Sequence, residues 1–149
     1  MHEFVAMRDL FEAGGAVPKP LAVSDNAILM HYIGNAQLAA PTLNHVRLEH
    51  DEAEALFEEV LRNIKLMLAH DIVHGDLSAH NVLYWSDDIT DATITLIDFP
   101  QVVNVYGNDQ AYNILQRDIQ RICEYFAQQG VDRDASALTQ TLWQDYVEE

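Results

Sequence analysis

Basic residues are scarce in this chain, as are cysteine, proline and long apolar runs. Eight lysines and arginines face 24 aspartates and glutamates among 149 residues, a formal net charge of −16. Such a field repels nucleic-acid backbones and anionic membrane surfaces, so neither direct nucleic-acid contact nor membrane binding is expected. A solvated surface is the simplest account of the acidity, and a docking face for a basic partner the other. The single cysteine, Cys123, excludes an intrachain disulfide and fits a reducing, cytoplasmic setting. It falls among apolar residues of an expected helix, which makes it a small core residue rather than a nucleophile. No stretch approaches the roughly 18 uninterrupted apolar residues of a membrane span. Met1-His2-Glu3-Phe4 has neither the basic start nor the apolar run of a signal peptide. Of the seven histidines, His70 and His74 are four apart, but His70 ends an expected helix and His74 lies beyond a strand. They share no helix face, and with one cysteine a zinc site is not expected.

What is present is concentrated in two runs. The first is His74-Gly75-Asp76-Leu77-Ser78-Ala79-His80-Asn81, and the second is Leu96-Ile97-Asp98-Phe99-Pro100-Gln101. The first supplies an aspartate and, five positions on, an asparagine. The second supplies an aspartate at the end of an apolar strand. Phosphoryl transfer asks a protein for charge neutralisation through Mg²⁺ and for an aligned nucleophile. Asp76 to orient an acceptor hydroxyl, with Asn81 and Asp98 to hold metal, is a minimum set for that chemistry. A purely structural reading makes Asp76 and Asn81 an Asx-type turn and Asp98 a strand cap. His74 is expected to hydrogen-bond backbone within its loop. Ser78 is expected either to bond locally or to contact phosphate.

The rest of the chain, with a hydrophobic fraction of 49%, is enough for one core. Helical spacing of Phe4, Met7, Leu10 and Phe11 predicts a helix over 3–13, ended by Gly14-Gly15. Val17-Pro18-Lys19-Pro20 is an extended connector, since proline fixes its own φ and moves its predecessor out of the helical region. Residues 21–23 and 27–32 form a hairpin around Ser24-Asp25-Asn26. A long helix over 48–70 carries the stripe Ala53, Leu56, Phe57, Val60, Leu61, Ile64, Met67 and Leu68, with an acidic opposite face. Strands at 72–73, 82–85 and 92–97 hang both motif loops on one small hairpin-like sheet. A second long helix spans 110–129, N-capped by Asp109 and closed by Gly130. A last helix spans 135–147. The pattern is α+β.

At these residues the sequence resembles the RIO family of atypical serine/threonine kinases, most closely its bacterial branch. Asp98-Phe99-Pro100-Gln101, where typical protein kinases have Asp-Phe-Gly, is the most specific piece. Val17-Pro18-Lys19-Pro20 resembles the family's connector after its C helix, and Leu29 to Gly34 its hinge, with Ala40-Pro41-Thr42-Leu43 following. The helix from Leu115-Gln116-Arg117-Asp118-Ile119 to Tyr125-Phe126 resembles its last conserved helix. The resemblance implies a protein-kinase-like fold: a mainly helical C-lobe with a C helix, a hinge hairpin and short catalytic- and metal-loop strands. It divides one domain into residues 1–34, a remnant of the N-lobe, and 35–149, the C-lobe. It makes Asp76 the catalytic aspartate and Asn81 and Asp98 the Mg²⁺ ligands. ATP would meet the hinge at Met30 and Tyr32, with Ser78 near phosphate and Glu3 in the place of the C-helix glutamate. The partners implied are ATP and a protein serine or threonine substrate. Family members also use the metal-loop aspartate as a transient phosphate acceptor, which implies ATPase-like switching as a further output. The short run from Gln101 to Asp109 agrees with the family's lack of an activation segment.

The family's domain carries further strands before the C helix, with a phosphate-covering loop and a phosphate-contacting lysine. This chain starts at about the C helix, and its two lysines are Lys19 and Lys65. The expectation is an N-terminally truncated kinase domain whose 21–32 hairpin keeps an unpaired edge open to self-association. Two alternatives stand beside it. One is a small-molecule phosphotransferase of the aminoglycoside/choline kinase type. The other is a non-catalytic pseudokinase that docks a partner.

Overall fold

In a computed structural model, residues 2–17, 19–23, 28–30, 40–86, 92–97 and 102–147 are described. Helix α1, His2–Glu12, buries Met7 and Leu10. Phe11, expected on the same apolar face, is instead 40% exposed. The reason is angular: Met7 and Leu10 set a narrow contact stripe, and Phe11 lies one residue, about 100°, past it. The helix closes at Gly14-Gly15, where Gly14 N–H donates to Phe11 O and Gly15 N–H to Leu10 O. Strands β1, Pro20–Val23, and β2, Ile28–Met30, pair antiparallel as the hairpin expected from the sequence; its turn lies outside the described residues.

Helix α2, His50–Ala69, is the centre of the body. All eight residues of its expected stripe are buried. Asn63 is buried with them, and its amide is fully used. Oδ1 accepts from Ala16 N–H at 2.7 Å, and Nδ2 donates to Glu59 O at 2.8 Å. Ala16 O in turn accepts from Leu96 N–H at 2.7 Å. The connector after α1 is therefore tied at one residue to α2 and to the strand that precedes Asp98.

Strand β3, Ile72–Val73, leads into the first motif, and β4, Val82–Trp85, leaves it. Strand β5, Thr93–Leu96, pairs antiparallel with β4, Val82 opposite Leu96 and Trp85 opposite Thr93. The single sheet expected from the sequence is not what forms. Strand β3 pairs with a separate strand, β6, Val103–Asn104, which follows the second motif. A two-residue strand is too short to show alternation, so β6 leaves no periodic signal.

Helix α3, Ala111–Gln128, packs Leu115, Ile119, Ile122 and Phe126 inward. The Phe126 ring meets Phe57 and Tyr125 edge-on, with centroids at 5.4 and 5.0 Å. The N-cap is Gln110 rather than Asp109, and no side chain caps it. Asn108 Oδ1 takes the Gln110 N–H at 2.8 Å instead, so the turn before the helix is held one residue earlier. The other end is as expected. Gly130 has φ +89°, a conformation that suits glycine, and Val131 N–H reaches back to Phe126 O at 2.8 Å. Helix α4, Ala135–Tyr146, starts at Asp134, whose carboxylate accepts from Ala137 N–H at 3.1 Å. Leu142 is buried, and Tyr146 is exposed. Among the described residues, no helix is long and apolar enough to cross a membrane.

Candidate active site

The loop between β3 and β4 is held from beneath by one side chain that sequence reasoning gave no role. Asp118, on α3, is 1% exposed. Its Oδ2 accepts from Gly75 N–H at 2.9 Å and its Oδ1 from Leu77 N–H at 3.1 Å. The two bonds straddle Asp76, so the backbone on each side of that residue is fixed to a helix. Arg117, one residue before, donates to Gly75 O. Gly75 has φ +95°, where a side chain would be strained, so a glycine is needed for this turn. Burial pushes the Asp118 carboxyl up to about 6, against the pull of the two backbone donors and of Arg117 and Arg121. A signal for Asp118 was present: it sits three residues after Leu115 and one before Ile119, a charge within an apolar stripe.

Above this support the Asp76 carboxylate is exposed. Its Oδ1 accepts from Arg121 Nη1 at 3.2 Å across an ion pair whose side chains are about half in solvent. Asn81 is buried, at 8% exposure, and its Nδ2 donates to Asp76 O. That bond orients the amide and leaves Oδ1, a hard oxygen of the kind Mg²⁺ takes, uncommitted among the described residues. Ser78 Oγ accepts from His80 N–H at 3.2 Å and caps the short turn at Ala79–Asn81, so of its two expected roles the local bond is present.

His74 does more than brace its own loop. It is 1% exposed, and its Nε2 lies 2.8 Å from Ile97 O while its Nδ1 lies 3.2 Å from Asp76 N. A carbonyl can only accept and an amide N–H only donate, so the ring carries its proton on Nε2. Ile97 N–H also donates to Asn81 O at 2.9 Å. Ile97 is therefore pinned to the first loop from both its backbone groups, at the residue immediately before Asp98.

Asp76, Ser78 and Asn81 are thus brought together on one braced loop. Met30 ends β2, opposite Pro20, and Glu3 lies in the first turn of α1. The side chains of those two, and all of Tyr32 and Asp98, lie outside the described residues. Lys65 sits half-buried on α2, and Lys19 is exposed in the connector. Among the described residues no group of three or more histidine, cysteine or acidic side chains is placed to hold a metal. The Asn81 amide oxygen is of the kind that a Mg²⁺ site takes, and Asp98, the residue after Ile97, lies outside the described residues.

A family model described as the RIO domain matches residues 1–138. The chain is 32% identical over 136 residues to the RIO-type serine/threonine-protein kinase Rio1 of Haloferax volcanii, covering 91% of this chain and 44% of that protein. It is 30% identical over 132 residues to the protein of the same description from Thermoplasma acidophilum, covering 89% of this chain and 65% of that one. Among solved structures it resembles the Rio2 kinase–ADP/Mg²⁺–phosphoaspartate complex from Chaetomium thermophilum. The TM-score is 0.76 and the identity 25%, over 93% of this chain and 42% of that chain. The chain spans between 42% and 65% of the length of these relatives.

Proposed function

The chain belongs to the RIO kinase family, and from that premise we propose that it takes part in ATP- and Mg²⁺-dependent phosphoryl transfer to a serine or threonine hydroxyl of a protein. The observation that carries this reading is the exposed Asp76 carboxylate on a loop fixed on both sides by buried Asp118. An exposed carboxylate on an immobile backbone can orient an acceptor hydroxyl and take its proton without reorganising. Asn81 Oδ1 and Asp98 would hold the metal ion, whose chemistry is to neutralise phosphate charge. His74 and Asn81, by fixing Ile97, keep the two loops at one spacing. In this assignment the hinge backbone around Met30 to Tyr32 would meet adenine, Glu3 stands in the place of the C-helix glutamate, and Ser78 caps the loop turn beside the phosphate. Residues 1–34 form the N-lobe part and 35–149 the C-lobe. A cytoplasmic setting suits the single thiol, Cys123, which is buried and pushed up to about 11 by that burial.

The test is Mg²⁺-dependent ATP turnover by the purified chain, compared with Asp76→Ala and Asp98→Ala. Turnover lost in both variants supports catalysis. Turnover that survives Asp76→Ala refutes it. Thermal stabilisation by Mg-ATP without turnover favours a nucleotide-binding module that docks a partner, a reading also supported by the location of Lys19 and Lys65 away from any described strand near Asp76.

A further inference from the structure

A cavity of about 510 Å³ lies along one side of the Asp76 loop. One wall is the loop itself at Ser78 to His80. Another is a single stripe of α3, Arg121, Glu124, Tyr125 and Gln128, at i, i+3, i+4 and i+7. Asn44, from the short turn at Leu43–His45, and Gln129, the C-cap of α3, complete it. The volume is that of a ligand-binding cleft rather than a packing defect. Arg121 also holds the Asp76 carboxylate, so the cavity starts beside that group and runs away from it along the helix.

The lining favours neither sign of charge. Arg121 and Glu124 stand three apart on one helix, one positive and one negative. Each already has a partner, Arg121 in Asp76 and Glu124 in the Gln120 amide at 3.2 Å. The bonding capacity that remains is of both polarities. The Ser78 oxygen accepts from His80 N–H and keeps its own proton to donate. Gln129 uses Oε1 on Leu48 N–H, at 2.8 Å, and keeps its NH₂. Tyr125 donates to Val46 O and keeps an acceptor. Gln128 has a whole carboxamide, and His80 a ring, without a bond among the described residues. Asn44 Oδ1 is buried without a donor, so its amide has a hydrogen bond to gain by turning to a ligand. The spare N–H groups of Arg121 and the spare oxygen of Glu124 add to both sides.

We infer that this cavity seats the extended main chain of the acceptor polypeptide, on one side of the serine or threonine presented to Asp76. The inference rests on the phosphotransfer reading above for its account of the acceptor. A peptide unit is neutral and carries one donor and one acceptor, which a charge-balanced lining of both polarities can pair. Asn44, Gln128 and Gln129 are carboxamides, the same functional group as the peptide unit. A free carboxamide, as at Gln128, accepts from one main-chain N–H and donates to one C=O. The face from Arg121 to Gln129 is about 12 Å long, which an extended chain covers with about three or four residues. The acceptor residue lies at the Arg121 end, beside Asp76, and the backbone that follows or precedes it lies along the stripe.

Ester replacement of single amides tests this without requiring turnover, because it deletes one N–H and leaves every side chain in place. A fluorescein-labelled, uncharged peptide with one central serine is titrated with the full chain and read by anisotropy. Beside it run peptides with one ester each, placed along about three residues before and after the serine. Esters on one side of the serine weaken binding about fivefold, the loss of one neutral hydrogen bond, and esters on the other side do not. Exchanging flanking alanines for leucine or glutamine leaves the affinity unchanged. Gln128→Ala removes the loss at one ester position. Gln140→Ala, the same change at an exposed residue of α4, leaves the pattern intact. No binding of the parent peptide, equal affinities across the ester series, losses spread over both sides, or a pattern untouched by Gln128→Ala each overturn the inference. Mg²⁺-dependent ATP turnover is measured on the same samples. Its absence with an intact ester pattern sinks the phosphotransfer reading and keeps the backbone seat, whereas turnover without the pattern does the reverse.

Discussion

Replacing Asp118 with asparagine separates the two things its carboxylate does. Asparagine keeps the shape but turns one acceptor oxygen into a donor, so either Gly75 N–H or Leu77 N–H then faces an amide NH₂. An orphaned buried N–H costs about 1–3 kcal/mol, at any pH in the neutral range. Against that, the substitution removes the cost of ionising a buried acid. In the folded chain the group titrates at about 6, and its ordinary value is 3.8. The folded state therefore binds this proton more tightly than the unfolded state. Its stabilising effect is complete below the ordinary value and is lost as pH rises through about 6. Between pH 7.5 and pH 5 the folded carboxyl takes up most of a proton while the unfolded one stays ionised. The native protein gains about 1.4 kcal/mol from this group over that interval, and the asparagine variant gains nothing. Urea unfolding followed by the fluorescence of Trp85 and Trp143 measures both proteins across the range. Titrations common to the two cancel in the difference. The stability advantage of the native chain over Asp118→Asn should widen by about 1.4 kcal/mol on acidification from pH 7.5 to 5. A difference that stays flat, or narrows, would mean that the backbone donors and arginines outweigh burial and would refute the reasoning.

Four further substitutions have outcomes that follow from particular contacts. Asp134→Ala should lower stability by about 1 kcal/mol, because it strips the N-cap of α4. Asp109→Ala, at a residue that caps nothing, should stay within about 0.5 kcal/mol in the same thermal melts. Phe126→Ala should cost about 3–5 kcal/mol in denaturant unfolding, since it empties the position where Phe57 and Tyr125 converge. Arg121→Ala should change stability by less than about 1 kcal/mol, as an exposed ion pair does. It should nevertheless lower kcat for phosphoryl transfer about tenfold by freeing the Asp76 carboxylate, with KM for ATP unchanged and partial recovery in Arg121→Lys. An unchanged kcat, or a loss that tracks unfolding, would remove Arg121 as a positioning residue.

The sequence alone determined what local periodicity and backbone chemistry can encode. The stripe of α2 is buried at each of its eight positions because a 3.6-residue repeat on one helix does not depend on what it packs against. Gly130 ends α3 because glycine adopts a positive φ without strain. The spacing of Asp76 and Asn81 placed both on one short loop, where the asparagine amide bonds the aspartate carbonyl. The roles given to Met30, Tyr32, Glu3 and Asp98 remain proposals carried by the family resemblance. Tertiary structure decided how the loop is held. Asp118 reaches Gly75 across 43 residues and Leu77 across 41, His74 reaches Ile97 across 23, and Asn63 reaches Ala16 across 47. No window of local pattern contains both ends of such a bond, and a buried aspartate in a stripe shows only that some partner must exist. The pairing of β3 with β6 likewise needed the chain to close on itself, since two residues carry no alternation of their own. The candidate site residues were thus written locally, and the rigidity of their loop comes from hydrogen bonds that exist only once distant segments meet.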